Sequence, residues 1–288
     1  MVFRLAQVSD AHLSASRPFF RANFDAAAEA LRGLRPDLVV DTGDVSLDGA
    51  DSESDLRAAR EARVASWSPH DVVAVPGNHD VGDDPGPGMR QPADAARLAR
   101  WTRVFGPDRF VRDDAPGWRL IGLDSQIVAS GLEDAEHQLD FLARALSGAR
   151  GRAVGLFLHK PLWLEAGPGE PDAGYWTVKP GPRARLMDLL AARPPAFVAS
   201  GHLHQWRDRP RGPAGWREVW CPSVAFVVGD AWQESWGEKP IGLVEHRLHP
   251  DGGHEARLVP VPGAARLDIG DMPEVYGPLP RRDGARPA

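Results

Sequence analysis

The chain has 288 residues, 42% hydrophobic and 26% charged, the balance of a soluble globular protein long enough to bury one large core. Forty acidic residues against 34 basic give a net charge of −6 with no basic block, which sets aside bulk electrostatic binding of nucleic acid. The single Cys221 rules out an internal disulfide, and no window approaches the ~20 apolar residues of a membrane span. The N-terminus opens on a strand-like run instead of a cationic start with a long apolar stretch, so no signal peptide and a cytoplasmic location are expected.

Phe3–Ser9 reads as a first strand, followed at once by Asp10 and His12. A helix near Ala22–Leu34 places Phe24, Ala27, Ala28 and Leu31 on one face. Pro36 starts a second strand that ends at Thr42-Gly43-Asp44, and Asp51–Ser68 carries Leu56, Ala59 and Val64 at helical spacing. Asp71–Asp80 (DVVAVPGNHD) then reads as a strand buried on both faces, broken by Pro76-Gly77 and delivering Asn78, His79 and Asp80. This is a βαβαβ pattern, which implies a parallel sheet with right-handed crossovers.

Asp83–Gln91 is loop by composition, and Ala93–Phe105 is expected as helix. Strand Trp118–Asp124, helix Asp134–Leu146 and strand Ala153–His159 follow. Glu165–Pro182 is a long Gly- and Pro-rich loop of the kind that carries function. A helix at Arg183–Ala192 leads into Ala196–His204. From Trp216 the helices cease: Glu218–Cys221, Val224–Val228, Gly242–Leu248 and Ala256–Val261 are short strands expected to complete the fold as an antiparallel sheet. Residues 1–262 form one domain in this reading, and Gly263–Ala288, rich in Pro, Gly and Arg, is a tail on the surface or partly disordered.

Five apolar runs therefore end in Asp, Asn or His, and in open α/β sheets ligands bind at the carboxyl ends of strands. Asp10, His12, Asp44, Asn78, His159, His202 and His204 are too many donors for one zinc site, which takes four, and suit two divalent cations sharing a bridge. A carboxylate bridges better than an imidazole, having two oxygens, so an Asp in the middle of the set is the natural bridge. Singly these motifs are weak: a GD pair occurs in many turns, GNHD can cap a helix, and GHLH can be two satisfied loop histidines. Their order and shared strand-end setting carry the argument.

Asp10–His12 (DAH), Gly43-Asp44, Gly77–Asp80 (GNHD), His159 and Gly201–His204 (GHLH) resemble the signature of the calcineurin-like metallophosphoesterases, over most of the chain. The pattern is closer to the class III cyclic-nucleotide and glycerophosphodiester phosphodiesterase branch than to the protein serine/threonine phosphatases. Their longer GDxVDRG motif is absent, since Val45-Ser46-Leu47-Asp48 follows Asp44. The resemblance implies an α/β fold of four layers, αββα. It also implies that Asp10, His12, Asp44 and His204 hold one metal, and that Asp44 as bridge, Asn78, His159 and His202 hold the other. His79 would stay off the metals and donate a proton to the leaving group, while a bridging hydroxide attacks phosphorus in line. Mn, Fe and Zn suit these ligands alike. The implied activity is hydrolysis of a small phosphodiester, with a phosphomonoesterase or a non-catalytic metal-binding scaffold as the alternatives, and a homodimer is a possible assembly.

Other residues are less determined. Asp80 either orients a ligand histidine or caps a helix. Ten Trp against two Tyr is unusual, and Trp163, Trp176, Trp232 and Trp236 beside the long loops either wall a substrate pocket, Trp176 and Trp232 foremost, or fill core. Lys160 meets a phosphate or lies in solvent. His70, His137, His246, His249 and His254 are expected at the surface.

Overall fold

The structure, a computed structural model, describes residues 1–86 and 88–282. Residues 283–288 of the expected tail and Pro87 of the expected loop lie outside the described residues. Two mixed sheets face each other between layers of helix. The first contains β1 (Phe3–Val8), β2 (Leu38–Asp41), β3 (Val72–Ala74), β10 (Gly242–Leu248) and β11 (His254–Pro260), ordered β11-β10-β1-β2-β3. The second contains β4 (Phe110–Arg112), β5 (Trp118–Gly122), β6 (Ala153–Phe157), β7 (Phe197–Ser200), β8 (Arg207–Arg209) and β9 (Arg217–Trp220), ordered β4-β5-β6-β7-β9-β8.

The period of two sorts each strand between two cores. Leu5, Leu38, Val40 and Val244 point inward onto Trp118, Leu120, Phe157 and Phe197 of the second sheet. Ala6, Val8, Val39 and Leu243 point outward onto α1 (Arg21–Leu34), α2 (Glu53–Trp67) and, after the one-turn α3 (Asn78–Val81), α4 (Ala95–Phe105). Across the molecule, Ile121, Val154, Leu156 and Val198 meet α5 (Glu133–Ser147) and α6 (Pro180–Ala192). This is the expected four-layer arrangement. Phe157 and Phe197 pack edge to face at 5.5 Å between the sheets, where truncating such a ring to Ala costs ~3–5 kcal/mol.

The helices start where local chemistry dictates: Ser52 accepts from Asp55 N ahead of α2, and Asp94 from Arg97 N ahead of α4. Three expectations are corrected. β3 is a three-residue, half-buried edge strand, because among the described residues no strand pairs beyond it; full burial begins at Val75. Strand β9 runs parallel to β7, so the antiparallel completion is confined to β10 and β11 in the first sheet and to the edge strands β4 and β8. Val224–Val228 is not a strand; Val227 makes an isolated bridge to Asp268.

That bridge belongs to the described part of the Pro- and Gly-rich C-terminal segment. It contains a 3-10 turn at Ile269–Asp271 and the short helix α7 (Pro273–Tyr276), and it buries Ile269 and Val275 against Phe20, Leu47 and Phe226. Spacing does not show this, because two isolated apolar residues in a turn-rich stretch make no periodic pattern.

Candidate metal centre and active site

The strands that end in polar residues are β1, β2 and β3 in one sheet and β6 and β7 in the other, and their carboxyl ends converge. The backbone there is unusual. Among the described residues, seven non-glycine residues have positive φ; Arg35 and Arg150 lie away from the centre, and the others are Asp10 (58°), His12 (44°), Asp44 (50°), His202 (68°) and His204 (53°). Left-handed backbone costs an L-residue roughly 1–2 kcal/mol, so its concentration at the five strand-end residues marks a place held against its local preference. Glycines make room for it: a Cβ on Gly77 would strike Asp44 Oδ1, and one on Gly201 would strike Ser9 Oγ.

Two clusters result. In the first, His204 Nε2 lies 3.2 Å from Asp10 Oδ1 and 3.3 Å from His12 Nε2. In the second, His159 Nε2 lies 3.1 Å from Asn78 Oδ1 and 3.2 Å from His202 Nδ1. Asp44 Oδ2 joins them, 3.8 Å from His12 Nε2 and 3.3 Å from His159 Nε2. Its other oxygen accepts from His79 N at 2.8 Å.

What stands behind each ring fixes which nitrogen faces inward. His159 Nδ1 is 2.7 Å from Thr42 O, His204 Nδ1 3.0 Å from Phe226 O, and His202 Nε2 2.9 Å from Tyr175 O. A carbonyl only accepts, so each of those nitrogens carries a hydrogen, and in the neutral ring its partner nitrogen turns a lone pair to the centre. Asn78 donates its Nδ2 to Tyr175 Oη at 3.1 Å, which turns Oδ1 inward as well. Asp10 Oδ1 is buried with no hydrogen-bond partner among the described residues. Acceptors crowded against acceptors in a buried place need cations between them, and this donor set fits two divalent ions.

With protons alone, the cluster is strongly biased. Burial would lower His159, yet the Asp44 carboxylate beside it lifts it to about 9. Burial would raise Asp44, yet His159 and His79 hold it well below the usual carboxylate range. Burial, then His79, holds His12 low, and burial, then His159, does the same to His202. Metal binding to such a cluster must release protons.

Around the centre lies a cavity of about 290 Å³ walled by Tyr175, Trp176, Phe226, Val228, Ile269 and Tyr276, with His12, Asp44, His79, His202 and His204 on its floor. His79 Nδ1 is 3.1 Å from Leu47 O, which leaves Nε2 as the nitrogen open to a substrate. On the far side of His79 and Tyr276 a more polar cavity of about 350 Å³ carries Arg17, Asp48, Arg90 and Gln91.

The structure gathers Asp10, His12, Asp44, Asn78, His79, His159, His202, His204 and Trp176 into one place. Trp232 is outside it: its ring is packed on Gly270, with Arg281 5.1 Å from the ring centroid. Trp163 is core, stacked on Trp216 and donating to Glu218, while Trp236 touches Trp176 edge-on. Asp80 touches no ligand histidine. It accepts from Val45 N, Ser46 N, Ser46 Oγ and Gly77 N, tying the Asp44 loop to the turn before Asn78, and burial followed by Asp44 pushes it to about 6. Lys160 is buried in an ion pair with Asp83, so it lies neither in solvent nor on the cavity wall. His246 is buried between the sheets instead of exposed.

The residues that sequence reasoning missed are the two tyrosines. Tyr175 and Tyr276 are the only ones in the chain, and both line the cavity. Their rarity, and their place in Gly- and Pro-rich stretches, was the available signal.

The profile of the calcineurin-like phosphoesterases matches residues 3–206, from β1 through the GHLH motif. The chain belongs to this family. A 3',5'-cyclic adenosine monophosphate phosphodiesterase, CpdA, of Pseudomonas aeruginosa is 33% identical over 92% of this chain and 90% of its own length. Among solved structures, the Plasmodium anchor protein GAP50 superposes with a TM-score of 0.61 at 15% identity, covering 97% of this chain and 95% of its own. Purple acid phosphatase PPD1 of yellow lupin superposes with a TM-score of 0.65 at 15% identity, over 93% of this chain and 53% of its own. At such identities the likeness is one of fold. A metal-dependent phosphoric ester hydrolase is the activity that the family and the donor clusters carry together. Among the described residues no helix is long and apolar enough to cross a membrane.

Proposed function

We propose that the chain is a dinuclear metal-dependent phosphodiesterase whose substrate is a cyclic nucleotide monophosphate. The observation that carries this is the pair of inward-facing acceptor clusters sharing Asp44 Oδ2 at the floor of a largely apolar, aromatic-walled cavity. The substrate class is supported by 33% identity over nearly the whole chain to a cyclic AMP phosphodiesterase, and by aromatic faces on which a base can stack.

In this reading Asp10, His12, Asp44 and His204 hold one divalent ion, and Asp44, Asn78, His159 and His202 the other. When bound, the ions supply a deprotonated water as nucleophile and neutralise charge on the phosphoryl oxygens. The carbonyls of Thr42, Phe226 and Tyr175 keep three rings in the tautomer that presents a lone pair. Asp80 keeps the Asp44 loop seated on the Asn78 turn. His79 gives Nδ1–H to Leu47 O, which turns Nε2 to the substrate, where a proton carried on that nitrogen can pass to the departing ribose oxygen. Trp176, with Tyr175 and Phe226, receives the base. Mn, Fe and Zn suit this mixed oxygen and nitrogen set equally. A cytoplasmic homodimer without bulk nucleic-acid binding completes the reading.

The test is hydrolysis of cyclic AMP and of bis(nitrophenyl) phosphate with added Mn²⁺, Fe²⁺ or Zn²⁺, beside a nitrophenyl monoester. Turnover of both diesters well above the monoester is expected. Turnover of the monoester alone would make it a phosphomonoesterase, and no turnover with any ion would make it a scaffold on this fold.

A further inference from the structure

Three of the four histidines in the two clusters are held from behind by backbone carbonyls. The fourth, His12, is held by a side chain: its Nδ1 lies 2.7 Å from Tyr276 Oη. Its Nε2 faces Asp44 at 3.8 Å, Asp10 at 3.9 Å and His204 at 3.3 Å. From the geometry we infer that Tyr276 is a positioning residue, which accepts from His12 Nδ1–H and so fixes the ring to bind a metal through Nε2. The inference rests on the proposed role of His12 as a ligand.

The segment that delivers Tyr276 is built to hold it still. Helix α7 ends at Gly277, whose N–H reaches back to Pro273 O at 2.9 Å and whose φ of +82° turns the chain out of the helix. Arg17 Nη1 donates to Val275 O at 3.2 Å, and Val275 is buried in an apolar cluster. Upstream, Val227 N donates to Leu267 O and Ile269 N to Val227 O, while Asp268 accepts from Gly229 N. Residue 227 follows Phe226, whose carbonyl orients His204. One pair of crossed segments thus sets both rings of the first cluster, from positions far apart in sequence.

A hydroxyl is a less committed partner than a carbonyl, because it donates as readily as it accepts. Without it, His12 can rotate or adopt the other tautomer, and loss of such an outer partner typically lowers metal affinity ~10–100-fold. The ring of Tyr276 also packs 4.9 Å from His79, so the experiment must separate the hydroxyl from the ring.

Tyr276→Phe keeps the ring and removes the oxygen; Tyr276→Leu removes both. Stepwise Mn²⁺ affinities are measured by calorimetric titration of the metal-stripped full chain, with a thermal melt of the metal-free form alongside. The expected result is a ~10–100-fold weaker affinity at one of two positions, equal in the two variants, with the metal-free melt of Tyr276→Phe unchanged. Wild-type affinity in Tyr276→Phe, equal weakening of both positions, or failure of the metal-free variant to fold would each overturn the assignment and leave Tyr276 a structural wall residue. A wild-type chain that binds two ions and hydrolyses no diester would overturn the proposed function alone. One that binds no ion overturns both.

Discussion

His246 should make the fold acid-sensitive by an amount that can be read from its surroundings. It lies wholly buried on β10, stacked against Phe197, with Nε2 3.0 Å from Gln7 Oε1 and Nδ1 2.9 Å from His254 Nε2. Gln7 gives its amide hydrogens to Thr42 Oγ1 and Ser200 O, so its oxygen must accept from His246 Nε2–H. His246 Nδ1 is therefore the lone-pair nitrogen, receiving a hydrogen from His254, and a proton added there would face that N–H. Burial first, and the Arg217 charge second, push its pKa down to about 3. An unfolded imidazole titrates near 6.5, so below that pH the unfolded chain takes up a proton that the folded one refuses. Stability is full well above pH 6.5, and it falls with acid through that pH until the folded ring itself protonates near pH 3. Between pH 6.5 and 4.5 the loss from this group alone is ~2.3 kcal/mol, since the slope reaches ~1.4 kcal/mol per pH unit only once the unfolded ring is fully protonated. His254, pushed down to about 2 but only half-buried, adds a smaller share. Urea unfolding of the metal-stripped chain at pH 7, 5.5 and 4.5 gives the wild-type slope, and His246→Gln gives the reference in which the other histidines still titrate. The variant should start ~1–3 kcal/mol less stable at pH 7 and lose ~2–3 kcal/mol less on acidification. Equal pH slopes in the two proteins would refute the reasoning.

Other outcomes follow from the centre. Asp44→Asn should lose metal from both positions and nearly all activity; two bound ions by elemental analysis would show that Asp44 is not the bridge. Asn78→Ala should loosen one position, with part of the rate recovered at high metal concentration. His79→Ala should cut turnover of an alkyl-leaving diester ~10²–10⁴-fold, and a nitrophenyl ester far less, with both ions retained; equal losses would point to phosphate binding. Trp176→Ala should raise KM for a bulky diester and spare a minimal one, whereas Trp232→Ala should lower the melting temperature and leave both KM values alone.

Much of this architecture is legible in the sequence, for a physical reason. A buried strand is a short apolar run, and one that stops on Asp, Asn or His has no packing explanation for that residue. Hence Asp10, Asp44, Asn78 and His159 stand out, and the structure brings them together. Strand pairing is less visible. Arg217–Trp220 has the same composition whether its neighbour runs parallel or antiparallel, and the short edge strand Val72–Ala74 reads like a central one. Tyr175 and Tyr276 escaped notice because they come from turn-rich segments without periodicity, and their meaning arises from what lies opposite. His246 escaped for the opposite reason: one histidine within a strand carries no mark of which face it takes.

The left-handed backbone of Asp10, His12, Asp44, His202 and His204 bears on how this protein would respond to selection in the laboratory. At ~1 kcal/mol each, those five conformations together hold ~5 kcal/mol, comparable to the net stability of a marginal domain. Glycine adopts the same angles freely. A library screened only for heat resistance would therefore be drawn to glycine at these positions, and the hardiest survivors would have surrendered their chemistry first. Thermostable variants that still turn over should instead carry their changes in the helices and surface loops, away from the strand ends.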